Sequence, residues 1–249
     1  DLHRLIRRQR QMCIRDRMRR SPQVIGYGFS PRALWRAVDV RINARGGNDF
    51  LVLRGDEPRG RISLAIPGRH NVKNALAALI VADLVGIDIN TVQCALGAFR
   101  GVRRRIELKG EAGGVIVIDD YAHHPTEIRA TLAAARERYP SRPIWAVFQP
   151  HTFSRTRALL DQFAAAFEDA DHVLVTDVYA AREHDDLGVH ATDVVRKMNH
   201  PDARYCGALD DAVAHLLQHV SAGDIVITLG AGDGFTVGER VLRGLGANA

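Results

Sequence analysis

From residue 115 to the carboxyl end, short β-branched runs alternate with longer stretches of helical spacing. "GVIVIDD", "IWAVFQP", "HVLVTDV", "ARYCG" and "DIVITLGAG" read as strands. "PTEIRATLAAARERY", "RTRALLDQFAAAFEDA", "ATDVVRKMN", "DDAVAHLLQHV" and "TVGERVLRGL" read as the helices that follow them. Strands joined by helices of this length run parallel, through right-handed βαβ crossovers, in an α/β sheet with helices on its faces. In such sheets ligands collect beyond the carboxyl ends of the strands. Four polar clusters fall at those ends: "DDYAHH", "QPHTFSR", "TDVYAARE" and "GAGDG".

The stretch before this has another texture. "QVIGYGFS", "WRAVDVRI", "DFLVLRG" and "RISLAIPG" are short, β-rich and divided by Gly, Pro, Asn and Asp, which predicts successive, mostly antiparallel strands. Two helices follow, "NVKNALAALIVADLVG" ending at Gly86 and "INTVQCALGAF" stopping at Gly101. The chain therefore divides into residues 21–100 and residues 101–249. Residues 1–20 hold eight arginines against two aspartates, with no turn chemistry and no apolar face. They read as a non-native leader, such as translated adapter sequence, with a basic tail for an acidic partner as the other reading.

Charge excludes one function class. The net +5 comes from that leader, because the remaining residues carry 26 basic against 27 acidic side chains. The body has no nucleic-acid footprint. No apolar run reaches the roughly 18 residues of a membrane span, and no signal peptide opens the chain. Cys13, Cys94 and Cys206 stand far apart and odd in number, which fits a reduced compartment, the cytoplasm, and neither a disulfide framework nor zinc.

The motifs admit more than one use. In "IPGRHNVKN" Gly68 suits a bend and Asn71 an N-cap; equally, an asparagine amide matches the adenine edge, with His70 against the base. The three arginines of "GVRRRIE" are either a solvated face or, at a hinge, a phosphate clamp. In "QPHTFSRT", Arg155 could hold a carboxylate bidentately beside His151, or simply begin a helix. "TLGAGDG" lacks the βαβ context of a dinucleotide fingerprint and reads as a tight turn. "DDYAHHPTEI" is a poor metal site, since adjacent histidines point apart and a third ligand is missing. Asp119 and Asp120 are strand neighbours facing opposite ways, so they form no acid/base pair. Pro125 suits a first helical turn preceded by His124 or a neighbour. Asp120, Tyr121 and His123 remain, projecting from the ligand rim.

Taken in order, "PGRHNVKNALAA", "GVRRRIE", "DDYAHHPTEI", "FQPHTFSRT" and "GAGD" resemble the Mur ligase family over residues 21–245. Within it the likeness is greatest to members that join L-alanine to UDP-N-acetylmuramate. The resemblance implies the C-terminal part of a central ATPase domain over 21–100, then a Rossmann-like, amino-acid-binding ligase domain. It implies ATP and Mg2+, an acyl-phosphate intermediate, peptidoglycan synthesis in the cytoplasm, and hence cell shape and division. Carried over by motif, His70, Asn71 and Asn74 contact adenine, Arg105 reaches the phosphates, and Asp120 holds the nucleotide from the second domain. Tyr121, His123, His151 and Arg155 surround the alanine; Arg105 and His123 are the catalytic candidates.

Two departures matter. Thr152 stands where the family often has a second basic residue, which puts more of the carboxylate binding on Arg155. No G-x-x-x-x-G-K-[ST] loop occurs, so the phosphate cradle, the metal ligands and the UDP-sugar domain are expected upstream of a C-terminal fragment that is inactive alone. Other readings are a murein-peptide recycling or other Mur-type ligase, a non-catalytic nucleotide- or amino-acid-binding module, and a metal hydrolase built on the two histidines.

Overall fold

The computed structural model describes residues 24–184 and 188–246. The leader expected over residues 1–20 lies outside the described residues. Two sheets organise the rest. The first has the order β1-β2-β3-β4, from β1 (Tyr27–Gly28), β2 (Trp35–Ile42), β3 (Asn48–Arg54) and β4 (Glu57–Ser63). β2, β3 and β4 pair antiparallel, and β1 lies parallel to β2. The strand expected from "QVIGYGFS" shrinks to two residues. The Ser30–Pro31 turn follows at once, and Phe29 leaves the ladder to lie under the Arg69 guanidinium, 4.2 Å from its ring.

Helix α1 (Arg69–Leu84) buries Val72, Leu76 and Leu79 against Trp35, Phe50, Val52 and Ile62. Their i, i+4, i+7 spacing puts them on one helical face. Helix α2 (Ile89–Ala98) is capped by Asp88, whose side chain accepts from the N–H groups of Asn90 and Thr91.

The second sheet has the order β5-β6-β10-β7-β8-β9. Its strands are β5 (Glu107–Ala112), β6 (Val115–Asp120), β7 (Ile144–Phe148), β8 (His172–Thr176), β9 (Ala203–Gly207) and β10 (Ile225–Leu229). β6 to β10 are mutually parallel. The antiparallel edge strand β5 was not anticipated from the sequence. Its signal was the Gly113–Gly114 pair, a two-residue hairpin turn with both residues at positive φ. β10, buried along its whole length, wedges between β6 and β7.

The pleat sorts two cores. Ile116 and Ile118 face one side with Ile128, Leu132, Phe148, Phe163 and Phe167. Val115 and Val117 face the other with Trp145, Leu174, Leu216, Val237 and Val241. The first face is covered by α3 (Pro125–Arg138), α5 (Leu160–Ala164) and α6 (Ala191–Lys197), with α4 (Phe153–Ala158) leading into α5. The second is covered by α7 (Leu209–His219) and α8 (Phe235–Gly246).

The single helix expected over 155–170 is instead α4 and α5, bent at Leu159 (φ −117°, ψ 16°). The bend keeps the backbone bonds from Leu159 N to Arg155 O and from Phe163 N to Leu159 O. It turns both side chains into the core, so burial overrides regular geometry. Among the described residues no helix is long and apolar enough to cross a membrane.

Candidate active site

The last two residues of β6 anchor the segment that joins the two sheets. Asp119 is buried; its Oδ1 accepts from Thr228 Oγ1 (2.7 Å) and its Oδ2 from Arg104 Nε (3.0 Å). Arg104 Nη2 donates to Gly230 O (2.9 Å), and its guanidinium sits between the rings of Tyr121 (4.8 Å) and Phe235 (4.7 Å). Asp120, facing the other way, accepts from Ile106 N and Ala122 N, each at 2.8 Å. Burial pushes its carboxyl pKa up, against the pull of those two N–H bonds.

Arg104 (φ 57°) and Ile106 (φ 49°) both occupy the left-handed region. For a β-branched isoleucine this is unusual, costing about 1–3 kcal/mol. These two left-handed residues flank Arg105, and two of the three arginines go different ways. Arg104 locks into the second sheet, while Arg105 faces a cavity between the two sheets, 3.7 Å from Glu127 Oε1.

That cavity has a volume of about 780 Å³. His70, Asn71 and Asn74 line it from α1, with Ile66 and Phe99 beside them; Arg105, Asp120 and Glu127 line it from the other lobe. Asn71 is not the N-cap. Helix α1 starts at Arg69 behind Gly68, so Asn71 lies in the first turn and its Nδ2 donates back to Pro67 O (2.7 Å). Asn74 Nδ2 donates to Asn71 Oδ1 (3.3 Å), which aligns the two carboxamides one turn apart. Burial, then the Arg105 charge, pulls the His70 pKa down, so the imidazole is held neutral.

The remaining clusters meet at the carboxyl ends of β6, β7, β8 and β10. His123 Nδ1 bonds Tyr121 O at 2.9 Å, and the two rings meet edge-on at 5.4 Å. The His123 ring lies 6.1 Å from that of His151, which stacks on Tyr179 (5.5 Å, 22°). Arg155 Nη1 is 3.3 Å from His151 Nδ1. Glu183 holds the start of α4, accepting from Ser154 N (2.8 Å) and the Ser154 hydroxyl. Gln149 clamps the turn after β10: Nε2 donates to Asp233 Oδ1 (2.7 Å) and Oε1 accepts from Gly234 N (2.9 Å).

His124 is helix-start chemistry. It is the N-cap of α3, its Nδ1 accepting from Thr126 N at 3.2 Å. Glu127 completes the box, accepting from His123 N (3.1 Å) and His124 N (3.2 Å). Sequence reasoning passed over Glu127, Arg104, Gln149, Tyr179 and Glu183. The spacing from His124 to Glu127 signalled the first, and Tyr179 and Glu183 lay in the flagged "TDVYAARE" cluster. Among the described residues no group of three or more His, Cys, Asp or Glu side chains is arranged to hold a metal ion.

Residues 104–232 match the family described as Mur ligase, glutamate ligase domain, and residues 6–82 match the Mur ligase middle domain. The chain belongs to the Mur ligase family. This Mur ligase chain is 48% identical over 252 residues to a UDP-N-acetylmuramate–L-alanine ligase of Frankia casuarinae, covering 91% of the chain and 50% of that relative. A protein of the same name from Acetivibrio thermocellus is 44% identical, with 88% and 47% covered. The crystal structure of the UDP-N-acetylmuramate–alanine ligase MurC of Thermotoga maritima superposes with a TM-score of 0.76 at 28% identity, covering 90% of this chain and 48% of that one. A murein peptide ligase of Psychrobacter arcticus, also 28% identical, gives 0.63, with 89% and 46% covered. The chain thus spans about half the length of the curated relatives it matches.

Proposed function

We propose that this Mur ligase chain supplies the nucleotide-gripping and amino-acid-holding part of an ATP-dependent ligase. The reaction is the joining of L-alanine to UDP-N-acetylmuramate in cytoplasmic peptidoglycan synthesis, a step on which cell shape and division depend. The observation that carries it is the single cavity shared by His70, Asn71, Asn74, Arg105 and Asp120, drawn from both lobes. Its size suits a nucleotide. The neutral imidazole of His70 and the two aligned carboxamides suit a purine face and edge.

Arg105 meets the phosphates from the hinge, and Asp120 holds the nucleotide's side of that hinge through Ile106 N. Phosphoryl transfer makes the muramoyl carboxylate an acyl phosphate. The amino group of alanine attacks it, and the tetrahedral intermediate releases phosphate as the amide forms. Alanine lies among Tyr121, His123 and His151, with its carboxylate on Arg155. His123 and Arg105 approach the same carboxylate, that of Glu127, at 3.6 and 3.7 Å, which supports reading the two as the catalytic pair. Mg2+ would neutralise phosphate charge, but none of the described residues is assigned to hold it. The names of the relatives support this reading of the substrates.

Calorimetry tests it. L-alanine is expected to bind the 249-residue chain and to bind about tenfold or more weakly in Arg155→Met, while an ATP analogue binds weakly. The chain alone is expected to release no phosphate from ATP with both substrates present. Stoichiometric zinc in the purified protein, or preference for an amino acid other than alanine, would overturn the assignment.

A further inference from the structure

Arg155 and His151 form a pair with a fixed sense of donation. A guanidinium has only N–H donors, so the 3.3 Å contact between Arg155 Nη1 and His151 Nδ1 requires a lone pair on Nδ1. The ring is then neutral, with its hydrogen on Nε2. Its surroundings favour that state. The face of Tyr179 lies along one side and the His123 ring stands 6.1 Å away. Burial and the charges of Arg155 and His123 oppose a proton on His151; only Glu183, which is occupied with Ser154, favours one.

An α-amino acid presents a carboxylate and an ammonium on one carbon. Whatever group touches the guanidinium that binds the carboxylate is therefore also within reach of the nitrogen. Resting on the reading of this rim as the amino-acid pocket, we infer that His151 Nδ1 takes the proton of the incoming ammonium, and that Arg155 blocks Nδ1 until the carboxylate draws it away. In the step, one N–H bond of the ammonium breaks and an N–H bond to Nδ1 forms. The electron pair stays on the amine nitrogen, which uses it to attack the acyl phosphate. The device makes the nucleophile only when a carboxylate is already seated, so a simple amine is not activated.

Imidazole 15N NMR of the full 249-residue chain tests the pair without turnover. In the free protein His151 should show an unprotonated Nδ1 and a hydrogen on Nε2. Saturating propionate, a carboxylate without an amine, should raise the His151 titration midpoint by about one pH unit or more, a tenfold gain in proton affinity. Arg155→Met should produce a comparable rise with no ligand added. A hydrogen on Nδ1 in the free protein overturns the inference. So does a propionate complex that shifts Tyr121 and His123 signals and leaves the His151 midpoint in place. If neither propionate nor L-alanine moves any signal of the rim, the amino-acid pocket itself is refuted, and the proton step with it.

Discussion

At the residue scale, neighbours in sequence do unlike work. Asp119 pairs with Arg104 inside the second lobe, and its removal in Asp119→Ala leaves a largely buried guanidinium uncompensated. A loss of about 3 kcal/mol in urea-unfolding stability is expected. A change within a few tenths would show that water replaces the carboxylate at no cost. Arg155→Met should weaken L-alanine binding by about tenfold or more, the share of a charge-assisted pair, with calorimetry as the readout. His70 gives a pH prediction. Its folded-state pKa lies below the ordinary value of 6.5, so the unfolded chain takes up the proton first as pH falls. Its contribution to stability is complete above about pH 6.5 and is lost as pH falls through the folded value. His151 and His215, also pulled down by burial, act in the same direction, whereas Asp120, pushed up, acts oppositely at lower pH. In His70→Gln the fall of the urea midpoint between pH 7 and pH 5 should be smaller than in the parent. An unchanged slope would mean that burial does not hold this imidazole neutral.

At the element scale, turns decide how the strands deliver their ends. The hairpin joining β5 to β6 needs Gly114, at φ 76°, where an added Cβ would stand 2.9 Å from Ala222 Cβ. Gly114→Ala should cost about 1–3 kcal/mol, read as a lower melting temperature. In the turn after β10, a Cβ on Gly232 would meet Gln149 Oε1 at 2.4 Å and the Tyr179 ring at 2.7 Å. Gly232→Ala should therefore push Tyr179 off His151 and weaken L-alanine binding several-fold, with far-UV dichroism unchanged. Intact binding would remove Tyr179 from the pocket wall. The strand–helix alternation from residue 115 was legible because period-two and 3.6-residue patterns are local. Strand β5 was not, since "ELKGEA" is an edge strand whose polar faces carry no hydrophobic period. The bend at Leu159 was also hidden, because only the position of the opposing core selects it.

At the scale of the whole molecule, the cavity exists only because two separate cores meet at the segment joining the two sheets. Asn74→Ala from the first lobe and Arg105→Ala from the second should each weaken binding of an ATP analogue about fivefold or more. A calorimetric effect confined to one lobe would contradict a site shared by both. The sequence by itself determined the parallel sheet, the polar rim and the family, and it supplied the residues proposed for a nucleotide and an amino acid. These follow from periodicity and motif, which are written along the chain. The motif had already singled out Arg105, which the structure turns to the cavity; only the tertiary structure decided that Arg104 locks onto Asp119, that Asn71 bonds Pro67 rather than capping α1, and that His151 meets Arg155 with its lone pair. Those outcomes depend on left-handed backbone turns, on the insertion of β10 between β6 and β7, and on contacts between distant residues. Their energies come from packing and burial across the fold, and no local stretch of residues encodes them.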